Sequence, residues 1–154
     1  MEMRKFFRPK YLLIGAVLLI GAGFFLAFGP PQMLAKTETP QYCASCHVME
    51  DQYEAWQHQG AHRRQACVSC HLPHDNLVSY YLWKGIDGMK DLIVFHTGTV
   101  PERIEISNHG IEFIQGNCIR CHSATVEKML DTERQCWDCH RNVQHRLAGS
   151  RLSL

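Results

Sequence analysis

The sequence predicts a mainly α, loop-rich domain behind a single N-terminal transmembrane helix, and three observations carry that prediction. Residues Tyr11 to Gly29 include no charged side chain. No convincing alternation of apolar and polar residues marks a strand. All eight cysteines fall into four CxxCH motifs: CASCH (Cys43 to His47), CVSCH (Cys67 to His71), CIRCH (Cys118 to His122) and CWDCH (Cys136 to His140).

The apolar run is long enough to cross a bilayer as a helix. It is longer than the apolar region of a cleaved secretory signal, and Pro30 and Pro31 stop it. An uncleaved signal anchor over residues 11–29 is therefore expected, with a cleaved signal as the alternative. Arg4, Lys5, Arg8 and Lys10 precede the span, whereas Lys36 and Glu38 follow it. The basic end, residues 1–10, should stay cytoplasmic. Residues 32–154 would then form a periplasmic domain on a single-pass protein of the bacterial inner membrane. Within that domain, turn signals separate helical pieces at Met49 to His58, Leu77 to Val94, Ile111 to His122 and Thr125 to Leu130. The paired motifs, two early and two late, suggest a duplicated unit.

The cysteine pattern decides the chemistry. Eight cysteines in a short chain could form disulfides, but the motifs use every one. Paired CxxC knuckles could hold zinc, yet zinc sites do not require a histidine directly after the second cysteine. CxxCH is the attachment pattern of haem c, with two thiols for the vinyl groups and a histidine for the iron. Four such motifs predict a tetrahaem cytochrome c, its haems held by Cys43, Cys46, Cys67, Cys70, Cys118, Cys121, Cys136 and Cys139. Four porphyrins would supply much of the buried apolar surface. The formal charge of +1 argues against nucleic acid, and haem propionates would make the holoprotein more acidic.

His71, His122 and His140 are the expected proximal ligands of the second, third and fourth haems. Distal ligands must come from elsewhere, and six histidines lie outside the motifs: His58, His62, His74, His96, His109 and His145. The first motif offers two donors, because Met49 lies two residues beyond His47. Either could hold the iron.

The segment SYYLWKGIDGMKD, Ser79 to Asp91, carries aromatic residues suited to a membrane interface. On a helix, Lys84, Asp87 and Asp91 share one face. That face could be a solvated salt-bridge surface or a site that binds a polar ligand.

These features resemble the NapC/NirT family of membrane-anchored tetrahaem quinol dehydrogenases, and within it the small subunit of the cytochrome c nitrite reductase complex. The resemblance rests on the anchor, CASCHVM, His62 before the second motif, LPH after it, Lys84 with Asp91, NCIRCH and CHRNVQH. The stop at Leu154, soon after the fourth motif, is read the same way. The resemblance implies that Met49 ligates the first haem, with His47 turned away. It also implies that His145 completes the second haem and His62 the third, with His58 as the nearest competitor to His62. Lys84 would bind menaquinol and Asp91 accept a proton beside the first haem, with Asp87 on the same face. The implied partner is the periplasmic multihaem nitrite reductase catalytic subunit, which would lend a lysine to the fourth haem. The alternatives are a quinol-oxidising donor to nitrate or trimethylamine N-oxide reductase, and a soluble-type carrier without a quinol site.

Overall fold

The computed structural model describes residues 9–58, 60–129 and 134–145, and all regular structure among them is helical. The chain divides into two compact units, Met1–Cys43 and Ala44–Leu154.

In the first unit, α1 spans Pro9–Phe28, 20 residues without one buried side chain. At about 1.5 Å per residue that is about 30 Å, the thickness of a bilayer's hydrocarbon core. Its Leu, Ile, Val and Phe side chains are exposed, as a lipid-facing helix requires. The Gly29 amide closes the last turn on the Phe25 carbonyl at 2.7 Å, and the two prolines prevent continuation. Two short helices follow, α2 (Met33–Lys36) and α3 (Pro40–Cys43). The basic residues Arg4, Lys5 and Arg8 lie outside the described residues.

The second unit contains α4 (Glu50–Gln57), α5 (Val68–His71), α6 (Leu77–His96), α7 (Asn108–Val126) and α8 (Cys136–Cys139). Tight 3-10 turns at His47–Met49, Gly60–Arg64, Glu127–Met129 and Arg141–Gln144 link or extend them. Asn76 caps α6 by accepting from the Ser79 amide at 2.8 Å. At the other end Gly98 takes a left-handed φ of 68°. There the Thr99 amide reaches the Val94 carbonyl at 3.1 Å and the Gly98 amide the Phe95 carbonyl at 3.2 Å, a Schellman ending. Ser107 caps α7 on the Gly110 amide at 3.3 Å.

The α class stands; α6 and α7 run longer than the sequence patterns mark, whereas α4 is shorter, Glu50–Gln57 within the expected Met49 to His58. α7 runs through the gap expected after His122, and the break is confined to His122 itself, at φ −111° and ψ 15°. Of the expected Thr125 to Leu130 helix, Leu130 lies outside the described residues. The chain buries few of its own apolar side chains: among the described residues, Ala55 and Leu72 form the hydrophobic core. Such a unit is organised around its motifs, not around an aliphatic centre.

Candidate functional site

The second and third motifs are joined by one buried side chain. Asn117, directly before the CIRCH motif, is 6% exposed. Its Nδ2 donates to the carbonyls of Cys70 at 2.9 Å and Leu72 at 2.7 Å, while its Oδ1 accepts from Arg120 Nε at 3.1 Å. Arg120 also reaches the Ser69 carbonyl at 3.2 Å. The fourth motif is tied to the same helix, because Gln115 Oε1 accepts from the Cys136 amide at 3.0 Å. These bonds draw the attachment thiols together. Burial, then the nearby Cys121 thiol, raises the Cys70 pKa; burial and a hydrogen-bonded Cys136 push Cys118 up to about 11.

Two pairs of imidazoles face each other across the unit. His71 and His145 have ring centres 6.0 Å apart with planes 18° from parallel. His62 and His122 are 6.1 Å apart at 65°. Two imidazoles on opposite sides of one iron, each bonded at about 2 Å through a nitrogen roughly 1 Å from its ring centre, have ring centres about 6 Å apart. Both pairs therefore have the spacing that haem ligation needs, and each joins a motif histidine to one from outside the motifs. His122 is the one residue of α7 with non-helical backbone angles. His145 adopts φ 47°, an uncommon conformation outside glycine, and its buried Nδ1 has no hydrogen-bond partner. Although His71 keeps exposed surface, the protein crowded around it, then the facing His145, hold its pKa down to about 4. A neutral ring is the form that binds metal.

At the first motif, His47 and Met49 open and close one 3-10 turn, with the Met49 amide donating to the Cys46 carbonyl at 2.9 Å. The His47 ring is exposed and packs at 5.5 Å from Phe95. Met49 is half-buried. The other histidines have different surroundings. His74 lies 3.1 Å from the Val68 carbonyl and beside Tyr80, while His58 is exposed at the end of α4 and His96 at the end of α6. His140 is exposed after α8.

α6 carries Lys84, Asp87 and Asp91 on one side, where Lys84 and Asp87 are half-buried and Asp91 is exposed. Surrounding protein raises the Asp91 pKa; Lys90, 3.8 Å away, opposes this, and Asp87 reinforces it. The Asp91 side chain is 74% exposed, so water mutes the size of the shift. An open apolar groove lined by Tyr81, Leu82, Ile86, Met89 and Ile93 runs along the other side of α6. Asp87 is held from α7: His109 Nε2 lies 3.0 and 3.1 Å from its two oxygens and 3.0 Å from Ser107 Oγ. The His109 ring stacks on Trp83 at 4.3 Å. His109 has no local motif to mark it, since its partner lies 22 positions away.

Comparisons with known proteins place the chain among membrane and reductase-associated cytochromes c by sequence and overall fold. A family model described as the NapC/NirT cytochrome c family, N-terminal region, matches residues 7–125. The chain is 33% identical to cytochrome c-type protein NrfH of Wolinella succinogenes, over 94% of this chain and 89% of the relative. It is also 33% identical to cytochrome c nitrite reductase subunit NrfH of Nitratidesulfovibrio vulgaris, over 90% and 84%. The crystal structure of a cytochrome c nitrite reductase NrfHA complex bound to the HQNO inhibitor superposes with a TM-score of 0.68 at 32% identity, covering 87% of this chain and 89% of that one.

Proposed function

The chain belongs to the NapC/NirT cytochrome c family, and from that premise we propose that it is a membrane-anchored quinol-oxidising cytochrome c. It passes electrons to the catalytic subunit of a multihaem cytochrome c nitrite reductase. The observation that carries the electron-transfer reading is the pair of facing imidazole couples, each at the spacing of two ligands on one iron. Four haems c, when bound, supply a chain of one-electron carriers.

The protein's own residues do the rest. The eight motif cysteines would hold the porphyrins covalently. His71 with His145 and His122 with His62 would provide strong nitrogen donors for the second and third irons. Met49 would provide a thioether for the first, which favours a higher potential and hence the role of entry point; the packing of His47 against Phe95 fits this assignment. His140 offers a proximal donor for the fourth, whose other side would take a lysine from the partner. Asn117 holds the second and third attachment sites in one frame.

Asp91 is the base for a quinol proton, and its raised pKa suits a group that must take one up. Lys84, within one helical face of Asp91, would hydrogen bond a quinol oxygen, and Asp87 lies between them. The substrate is menaquinol, α1 is the single-pass inner-membrane anchor, and the haem domain is periplasmic. The test is copurification from detergent-solubilised membranes, followed by nitrite reduction driven by a menaquinol analogue. Copurification with the nitrite reductase catalytic subunit and quinol-dependent turnover are expected. Recovery with another reductase, or no turnover from quinol, would refute the reading.

A further inference from the structure

Oxidation of a quinol breaks two O–H bonds, delivers two electrons to ferric haem iron and leaves two protons. Asp91 can take only one of them. We propose that Asp87 and His109 form a carboxylate–imidazole dyad that receives the second proton and carries it away from the quinol site. This rests on the quinol-oxidising reading above.

The geometry is that of a relay. His109 Nε2 lies within hydrogen-bond distance of both Asp87 oxygens and of the Ser107 hydroxyl. Both partners are largely shielded, with side chains 29% and 25% exposed. Trp83, stacked on the ring, and Phe113, edge-on at 5.5 Å, fix its orientation. Asp87 stands one turn from Lys84 and one turn from Asp91, so the dyad opens onto the face that would meet the quinol oxygens. Besides His109, the titratable and charged groups on these helices are Tyr80, Tyr81, Lys84, Asp87, Lys90, Asp91 and His96 of α6 and Glu112, Cys118, Arg120, Cys121 and His122 of α7. Of these, Asp87 meets the ring directly. Imidazole can take a proton at Nε2 from Asp87 and give up the one on Nδ1 to water or buffer, the ring side chain being 29% exposed, while the Ser107 hydroxyl, 3.0 Å from the same Nε2, helps hold the ring in place. The negative Asp87 also helps raise the Asp91 pKa, which couples the two acceptors. His109 meets the quinol proton through Asp87, so it acts as a relay behind that carboxylate.

The test uses the haem-replete complex with its reductase partner, carrying His109→Gln, Asp87→Asn or both. Haem reduction by a menaquinol analogue is followed by stopped flow between about pH 5.5 and 8.5, at low and high phosphate. Dithionite reduction confirms intact haems. Binding of the HQNO inhibitor to the oxidised complex, read by its fluorescence, reports the quinol pocket separately from turnover. Expected for His109→Gln are a rate loss of at least about tenfold at low phosphate, an altered pH profile, and recovery in high phosphate. HQNO affinity should stay within about threefold of wild type, and the double variant should be no slower than the slower single, as for residues acting as a unit. An unchanged pH profile, or a loss that phosphate does not relieve, would reduce the pair to a structural tie. If His109→Gln does not incorporate its haems, Asp87→Asn gives the same reading alone. A wild-type complex that does not oxidise the analogue overturns the quinol reading itself, before any variant is compared.

Discussion

Replacing Asn117 with Leu should be the most damaging single change of similar volume in the described haem unit. The substitution removes two donors, leaving the carbonyls of Cys70 and Leu72 without the bonds they now make at 2.9 and 2.7 Å. It also removes the acceptor of Arg120, but that guanidinium is exposed and finds water. Each neutral bond contributes about 1 kcal/mol net, and a carbonyl left buried and unsatisfied costs about 1–3 kcal/mol. Leu72 is itself buried, so the total is roughly 2–4 kcal/mol. At about 4 °C per kcal/mol for a domain near this size, the midpoint of thermal unfolding should fall by roughly 8–16 °C. Circular dichroism of the detergent-solubilised complex, with the haem Soret band as a second probe, measures it. Asn117→Asp should be at least as harmful near neutral pH, because a carboxylate would face two carbonyl oxygens and could donate to neither. Its penalty should ease as the pH falls and the acid protonates, regaining one donor. A Leu variant that melts within about 2 °C of wild type would refute the idea that this side chain joins the two motifs.

The remaining predictions concern individual ligands and the α6 face. Met49→Leu should alter one haem of four in the absorption and redox spectra; a full wild-type spectrum with normal quinol oxidation would return the first iron to His47. His62→Ala and His145→Ala should each convert one low-spin haem to high-spin, and a different haem in each case. In electron paramagnetic resonance the nearly parallel pair at 18° should give a rhombic low-spin signal, whereas the pair at 65° should give a highly anisotropic one. Loss of the same signal in both variants would contradict the pairing. Lys84→Met and Asp91→Asn should keep four haems and normal dithionite reduction but slow oxidation of a menaquinol analogue by about a hundredfold or more. Asp91 also has a stability signature. Its pKa is raised in the fold, so its charge opposes folding: stability is greatest below its ordinary value and is lost as pH rises through the folded value. Asp91→Asn should therefore melt slightly higher than wild type at neutral pH and equal it in acid; a lower melting point at neutral pH would count against the raised pKa.

The chemistry of this protein is local and can be read directly from the sequence. A haem attachment site is a five-residue pattern, a membrane span is an uninterrupted apolar run, and Met49 sits beside His47 by adjacency alone. Helix limits on α6 are equally local, since Asn76 caps one end and Gly98 supplies the left-handed turn at the other. His62 and His145 are reachable as candidate distal ligands only through family resemblance, because nothing near either one names a partner. Their pairing with His122 and His71 exists only after the chain folds, with non-helical angles at His122 and a left-handed backbone at His145. Asn117 and His109 show the same limit more sharply. Asn117 bonds to carbonyls 47 and 45 positions away, and His109 meets Asp87 across 22. Hydrogen bonds between such distant positions leave no periodicity in sequence, so only the packing of α5 and α6 against α7 decides which polar side chains are buried and what they hold.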